Sequence, residues 1–185
     1  MTDLATRTGL PDHLRVLARL YPRATWTGHA NFDEMTRFWL DRHLMFREVM
    51  RRLQNDTEAF LDQNEDARMY QQRLARLASF FLNQLHGHHM IEDQHYFPQM
   101  QALEPRLSAG FDLLHSDHEA LDTQIDRLET LGNAVLRADP AALATAAGRV
   151  RDQLTGFERF LDRHLADEEE LIVPVILEHG PRLHG

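Results

Sequence analysis

The sequence predicts an all-α chain folded as an antiparallel up-down-up-down four-helix bundle preceded by an N-terminal arm. Three observations predict it. Apolar residues recur every three to four positions along four long stretches, the spacing that puts one buried stripe on a helix. Clusters of Pro, Gly and polar residues separate those stretches cleanly. The connections are short for helices of this length, which favours antiparallel neighbours.

Taken in order, Pro11, Pro22 and Gly28 mark an arm over residues 1–28, with one short helix around "DHLRVLARL". Asn31 is placed to cap a first long helix running to about Leu61, with Asp33 and Glu34 in its first turn. Its stripe reads Phe32, Met35, Trp39, His43, Phe46, Met50, Leu53. The polar "DQNEDA" then breaks the pattern before a second helix from about Ala67 to Pro98, striped by Tyr70, Leu74, Leu77, Phe81, Leu85, His88 and Glu92. "LEPRLSAG" leads to a third, about Phe111 to Leu136, with Leu114, His118, Leu121, Ile125 and Leu128. After "ADP", with Pro140 at the first helical position, a fourth runs to Pro174 or slightly beyond. Its stripe is Val150, Leu154, Phe157, Leu161, His164, Glu168, Leu171. The bundle is thus expected over 29–179 and a tail over 180–185.

Composition narrows the function. A chain of 185 residues suffices for one core without staples, and the absence of Cys excludes disulfides, iron–sulfur clusters, thiolate zinc sites and Cys nucleophiles. A net charge of −9 argues against a nucleic-acid partner, which needs a basic footprint. No apolar run approaches the length of a membrane span or signal peptide, so a soluble cytoplasmic protein without membrane association is expected. There is no Gly-rich phosphate loop, nucleophile elbow or Ser/His/Asp order.

The chemistry lies in a doubled pattern: His, Glu four residues later, a second acid, and Pro ten residues after the His. It appears as His88, Glu92, Asp93, Pro98 and again as His164, Glu168, Glu169, Pro174. Residues four apart share one helix face, so each copy offers an imidazole nitrogen and a carboxylate oxygen to one point. Every long helix carries a His where its stripe calls for a hydrophobe. With a rise of about 1.5 Å per residue, His43, His88, Glu92, His118, His164 and Glu168 all fall within roughly the lowest 18 Å of one end of the bundle. Burying such groups without partners costs on the order of 1–3 kcal/mol each, heavy against a total stability of about 5–15 kcal/mol. A metal resolves that cost. Four His and two Glu exceed the needs of one tetrahedral zinc. Two ions, each with two His, both Glu bridging and one oxo or hydroxo bridge, would have five ligands and one open position, as in a non-haem di-iron site.

The paired His-x-x-x-Glu-acid segments ending in Pro, with single His residues in "DRHLMF" and "SDHEAL", resemble the hemerythrin-like (HHE cation-binding) family over about residues 30–178. The resemblance implies a hemerythrin-like bundle holding two non-haem iron ions. The implied ligands are His43, His88, Glu92, His118, His164 and Glu168, with Glu92 and Glu168 bridging. Oxygen-carrying members place a His-x-x-x-His pair on the third helix. Here Asp122 follows His118, so the chain looks closer to the symmetric four-His, two-Glu version. A fifth His would come first from His115, then from His89 or His95.

Several neighbouring residues have plainer readings. Glu92-x-x-His95 matches the ferritin-like Glu-x-x-His, but Leu171 stands where a second copy needs its His. Met35, Met50 and Met100 read as packing. His86 and His89 read as facing solvent or a neighbouring helix, and His13, His29, His179 and His184 as surface residues. Asp167, Glu169 and Glu170 read as a solvated acidic face, although Asp93 and Glu169 could instead orient ligand histidines through their second ring nitrogen. The expected function is binding or sensing of dioxygen, nitric oxide or iron, with a small diatomic ligand or peroxide as partner. The alternative is a di-iron enzyme acting on peroxide or nitric oxide, or repairing damaged iron centres. A homodimer through an exposed helix face is compatible with the sequence.

Overall fold

The computed structural model describes residues 3–180; His184 and the rest of the tail after Gly180 lie outside the described residues. Every element is helical. A 3-10 turn at Asp12–Leu14, helix α1 at Val16–Leu20 and a 3-10 turn at Arg23–Gly28 form the arm. Four long helices follow: α2 Glu34–Leu61, α3 Ala67–Ile91, α5 Ser108–Arg137 and α6 Leu143–His179. Between α3 and α5 come a π-helical turn at Glu92–Tyr96, helix α4 at Phe97–Leu103 and a 3-10 turn at Pro105–Leu107. The result is an all-α bundle with a helical arm ahead of its core helices. Side-chain pairings show neighbours running antiparallel: partners of rising number on one helix fall on the next, as in His43–Glu169 and Gln54–Glu158 for α2 and α6.

Local chemistry explains where these boundaries differ from expectation. Asp33, not Asn31, caps α2, its Oδ1 accepting from Thr36 N at 2.8 Å and from the Thr36 hydroxyl at 2.7 Å. Asn31 donates instead to the Leu177 carbonyl at 2.7 Å. α2 ends at Leu61 and is closed off by Gln63, whose φ of 61° is left-handed, while Asn64 N bonds back to Ala59 O at 2.9 Å. Pro98 does not end the second helix. It lacks the N–H that an α-turn needs, and the chain widens just before it, with Phe97 N bonding to Glu92 O five residues back. Pro174 likewise lies inside α6. Asp139 accepts from Ala142 N at 2.9 Å, and a turn through Pro140 leads into α6.

The chain packs as two compact units. One takes the described residues through Leu44, His89–Glu119 and those from Asp162 onward; the other takes Met45–His88 and Ala120–Leu161. In the first, Leu10, Leu14 and Leu17 of the arm are buried with Phe97, Phe111, Leu114, Leu171 and Val175. Trp26 is buried with Val173 and Leu177. Gly110 lets α5 approach α6 closely, since a Cβ there would lie 2.8 Å from a Leu171 methyl. In the second unit the core is aromatic and aliphatic: Phe46, Phe81 and Phe157 meet edge to face, at 6.2 and 5.6 Å between centroids. Met50 and Met100 are buried, as packing methionines should be. Met35 is half exposed, and Thr36 takes the buried place beside it.

Candidate metal centre

Five elements deliver the candidate ligands. α2 carries His43, α5 carries His118, and α6 carries His164 and Glu168. The last turn of α3 carries His88 and His89, and the π-helical turn begins at Glu92. Adjacent helical residues point about 100° apart, so His88 and His89 serve different directions.

The ligand atoms gather in two groups, each with its members within 4.8 Å of one another: His89, His118 and His164; and His43, His88, Glu92 and Glu168. Glu168 links the groups, its Oε2 lying 3.4 Å from both His43 Nε2 and His164 Nε2. Glu92 Oε2 is 3.7 Å from His118 Nε2, and its Oε1 accepts a 2.7 Å hydrogen bond from the Trp39 indole N–H. The rings of His89 and His118 stack at 4.1 Å, and His164 meets His118 edge-on at 4.8 Å.

These residues fit a polyvalent cation. His118 Nε2, His164 Nε2 and both Glu168 oxygens are fully buried with no hydrogen-bond partner, which in a native protein calls for an explanation. Burial, and then the neighbouring Glu92 carboxylate, push the Glu168 pKa well above the carboxylate range. Burial also raises Glu92, against the opposing effects of Glu168, His118, His43 and Trp39. Desolvation pulls His164 down to about 4, so its imidazole is neutral and able to ligate at pH 7. Two abutting carboxyl groups in a buried site need either a proton or positive charge between them. The donors are nitrogen and oxygen only, a set suited to iron among the transition metals.

A ring of acids holds the imidazoles by their outer nitrogens. Glu169 Oε1 is 3.0 Å from His43 Nδ1, and Asp93 Oδ1 is 3.0 Å from His118 Nδ1. Asp117 Oδ2 is 3.5 Å from His164 Nδ1. Asp93 and Asp117 resist the upward push of burial and sit below the usual range because His and, for Asp117, Arg7 hydrogen-bond to them. The arm completes the ring. Buried Arg7 donates from Nε to Asp167 at 2.7 Å and from both terminal nitrogens to Asp117. Arg23 Nη1 lies 2.5 Å from Glu169 Oε2.

The six residues expected as ligands are thus distributed over the two groups, with His89 joining them. His115 is largely exposed and pairs with Asp93 at 3.1 Å, while His95 is exposed; neither reaches either group. The sequence ranks His89 behind His115 as a fifth ligand and otherwise sets it facing solvent or a neighbouring helix, since it lies beside His88 and off the α3 stripe. The adjacent "HH" immediately before Glu92 was the signal that could have found it. Asp167 and Glu169 are buried, not solvated, because Arg7, Arg163, Arg23 and His43 occupy them. Asp117 and Arg7 carried no sequence signal.

A helical bundle whose interior holds two His-rich clusters joined by carboxylates defines a protein built to bind metal ions. The family model for the hemerythrin HHE cation-binding domain matches residues 34–176, and the chain belongs to that family. No curated protein and no solved structure matches it.

Proposed function

We propose that the chain holds two non-haem iron ions and binds a small diatomic ligand, dioxygen or nitric oxide, as a sensor or scavenger. The observation that carries this reading is the unequal division of histidines around two shared carboxylates. His89, His118 and His164 would hold one ion, His43 and His88 the other, with Glu92 and Glu168 serving both. The expected centre carries an oxo or hydroxo bridge as well. His43 and His88 supply one imidazole fewer than the other group, and a metal held there would supply reversible ligation of a small electron-rich molecule.

The protein's own residues fix that arrangement. Glu169, Asp93 and Asp117 hold the Nδ1 sides of His43, His118 and His164, leaving the Nε2 sides turned towards Glu168 and Glu92. Trp39 fixes Glu92 and lies against His43, with ring centroids 4.2 Å apart. Phe46 lies against His88 at 5.2 Å. Such apolar walls keep water away and favour binding over hydrolysis. Among the described residues, Asp93, Asp117, Asp167 and Glu169 around the site are engaged with His or Arg, which supports binding over the enzymatic alternative.

Metal analysis with absorption spectra before and after exposure to dioxygen or nitric oxide tests the reading. Near two irons per chain, with near-ultraviolet oxo-to-iron absorption that shifts on ligand addition, is the expected result. Substoichiometric iron or an unresponsive spectrum would overturn it. Rapid turnover of peroxide or nitric oxide under reducing conditions would transfer the case to the enzyme.

A further inference from the structure

The arm lies ahead of the stretch matched by the family model, residues 34–176, yet it places two arginines in the ring around the ligand histidines. We propose that Arg7 and Arg23 are positioning residues of the metal centre, each gripping a carboxylate that holds a ligand histidine, so that arm docking and metal loading are coupled. This rests on the metal-binding reading above.

Two chains of contact carry the coupling. From Arg7, the guanidinium spans Asp117 and Asp167, and Asp117 faces His164 Nδ1 at 3.5 Å. From Arg23, the contact runs to one oxygen of Glu169, whose other oxygen lies 3.0 Å from His43 Nδ1. One chain ends on each histidine group, and Glu168 joins the two. A planar guanidinium fork fixes a carboxylate in direction as well as distance, which a point charge does not. The arm is held where these contacts need it by buried Leu10, Leu14 and Leu17 beside Leu171 and Val175, and by Trp26 against Val173 and Leu177. The same arm residues therefore pack on the α6 segment that follows Glu168 and Glu169. Ordering the histidines by a metal must then favour the docked arm, and docking must favour the metal by the same factor.

The test uses the full chain with cobalt(II) as the probe. Wild type, Arg23→Met, Arg7→Met and Arg7→Lys are compared for cobalt affinity by chelator competition, for the visible d–d spectrum, and for tryptic cleavage after exposed Arg19. Arg23 is itself 62% exposed, so its variant should still fold, with a metal-free melting point lowered by the loss of its contact with buried Glu169. Its cobalt affinity should drop about 10- to 100-fold, the range for residues that orient ligands. Arg7→Met should lose at least as much, and Arg7→Lys should recover part. Cobalt should slow cleavage after Arg19 in wild type and much less in the variants. Arg23→Met decides the matter if Arg7→Met fails to fold. Wild-type affinity and spectra in Arg23→Met, or arm cleavage indifferent to cobalt, would overturn the coupling alone. A wild type that binds no cobalt would overturn the metal reading and this one together.

Discussion

Replacing Glu168 with Met should reverse the usual order of mutant and wild-type stability. Glu168 is fully buried, neither carboxyl oxygen has a hydrogen bond, and Glu92 lies against it. A buried polar group left in that state costs about 1–3 kcal/mol. Met is similar in volume, flexible and apolar, so it removes the cost without opening a cavity. Metal-free Glu168→Met should therefore be more stable than wild type by about 1–3 kcal/mol, with its melting point about 2–4 °C higher for each kcal/mol. Metal inverts the order. An ion present at 1,000 times its dissociation constant stabilises wild type by about 4 kcal/mol, whereas the variant has lost the carboxylate that links both histidine groups. Urea unfolding followed by far-ultraviolet circular dichroism, with chelator and then with anaerobic iron(II), reads both states. Glu168→Gln is the control: it keeps a buried polar group and should gain little. Loss of about 2–5 kcal/mol by metal-free Glu168→Met, the cost of damaging an ordinary core position, would refute the reasoning. So would an iron-induced gain equal to that of wild type.

Three further outcomes follow from the same geometry. His89→Ala should reduce bound iron from about two to about one per chain by metal analysis, whereas His115→Ala should leave it unchanged, because only His89 belongs to a ligand group. Metal-free wild type should lose stability relative to His164→Leu as pH falls. Burial lowers the folded-state pKa of His164 from 6.5 to about 4, so between those values the unfolded chain takes up a proton that the folded chain refuses. The difference between the two proteins' urea midpoints should widen below pH 6.5 and level off near pH 4, reaching at most about 3 kcal/mol; a constant difference would contradict the burial argument. Gln63→Gly should raise the thermal midpoint by the equivalent of about 1 kcal/mol, since Gln63 alone among the described non-glycine residues has positive φ; a lower midpoint would show that the Gln side chain is needed there.

Repetition and period were the parts of this protein that the sequence exposed. The four long helices follow from stripes that recur regardless of tertiary detail, and His43, His118 and His164 stand out because each replaces a hydrophobe on such a stripe. His89 did not, because α3 presents two faces to the site at once, and a single-stripe reading follows only one of them. The turn beginning at Glu92 was also illegible: Pro98 signals a break, whereas the chain answers its missing N–H by widening one turn and continuing. Asp33 and Asn31 are both acceptable caps by residue type, and only the reach of Asn31 to Leu177 decides between them. Asp167 and Glu169 reverse their expected exposure for a comparable reason. Beside local Arg163 and the ligand-side His43, their partners are Arg7 and Arg23, more than 140 positions away in sequence, and nothing local to "ADEEE" announces those two.

The placement of polar groups shows how a bundle can carry so costly a site. Most of the candidate ligands and their acids belong to the unit containing the arm, while the other unit buries Phe46, Phe81, Phe157, Tyr70 and a ladder of leucines. In that second unit, buried Thr57 and Gln153 have ordinary partners, the Leu53 and Gln124 carbonyls. The ligand-rich unit must therefore draw its cohesion from elsewhere, and the arm supplies it: Leu10, Leu14, Leu17 and Trp26 add apolar burial where the helices themselves have given positions to His and Glu. Burying a Leu side chain is worth about 1.5–3 kcal/mol. Three leucines and a tryptophan are thus comparable in scale to the desolvation of the carboxylates and imidazoles beside them. On this argument the arm is an integral part of the metal-binding end, and cutting it away should weaken that unit far more than the other.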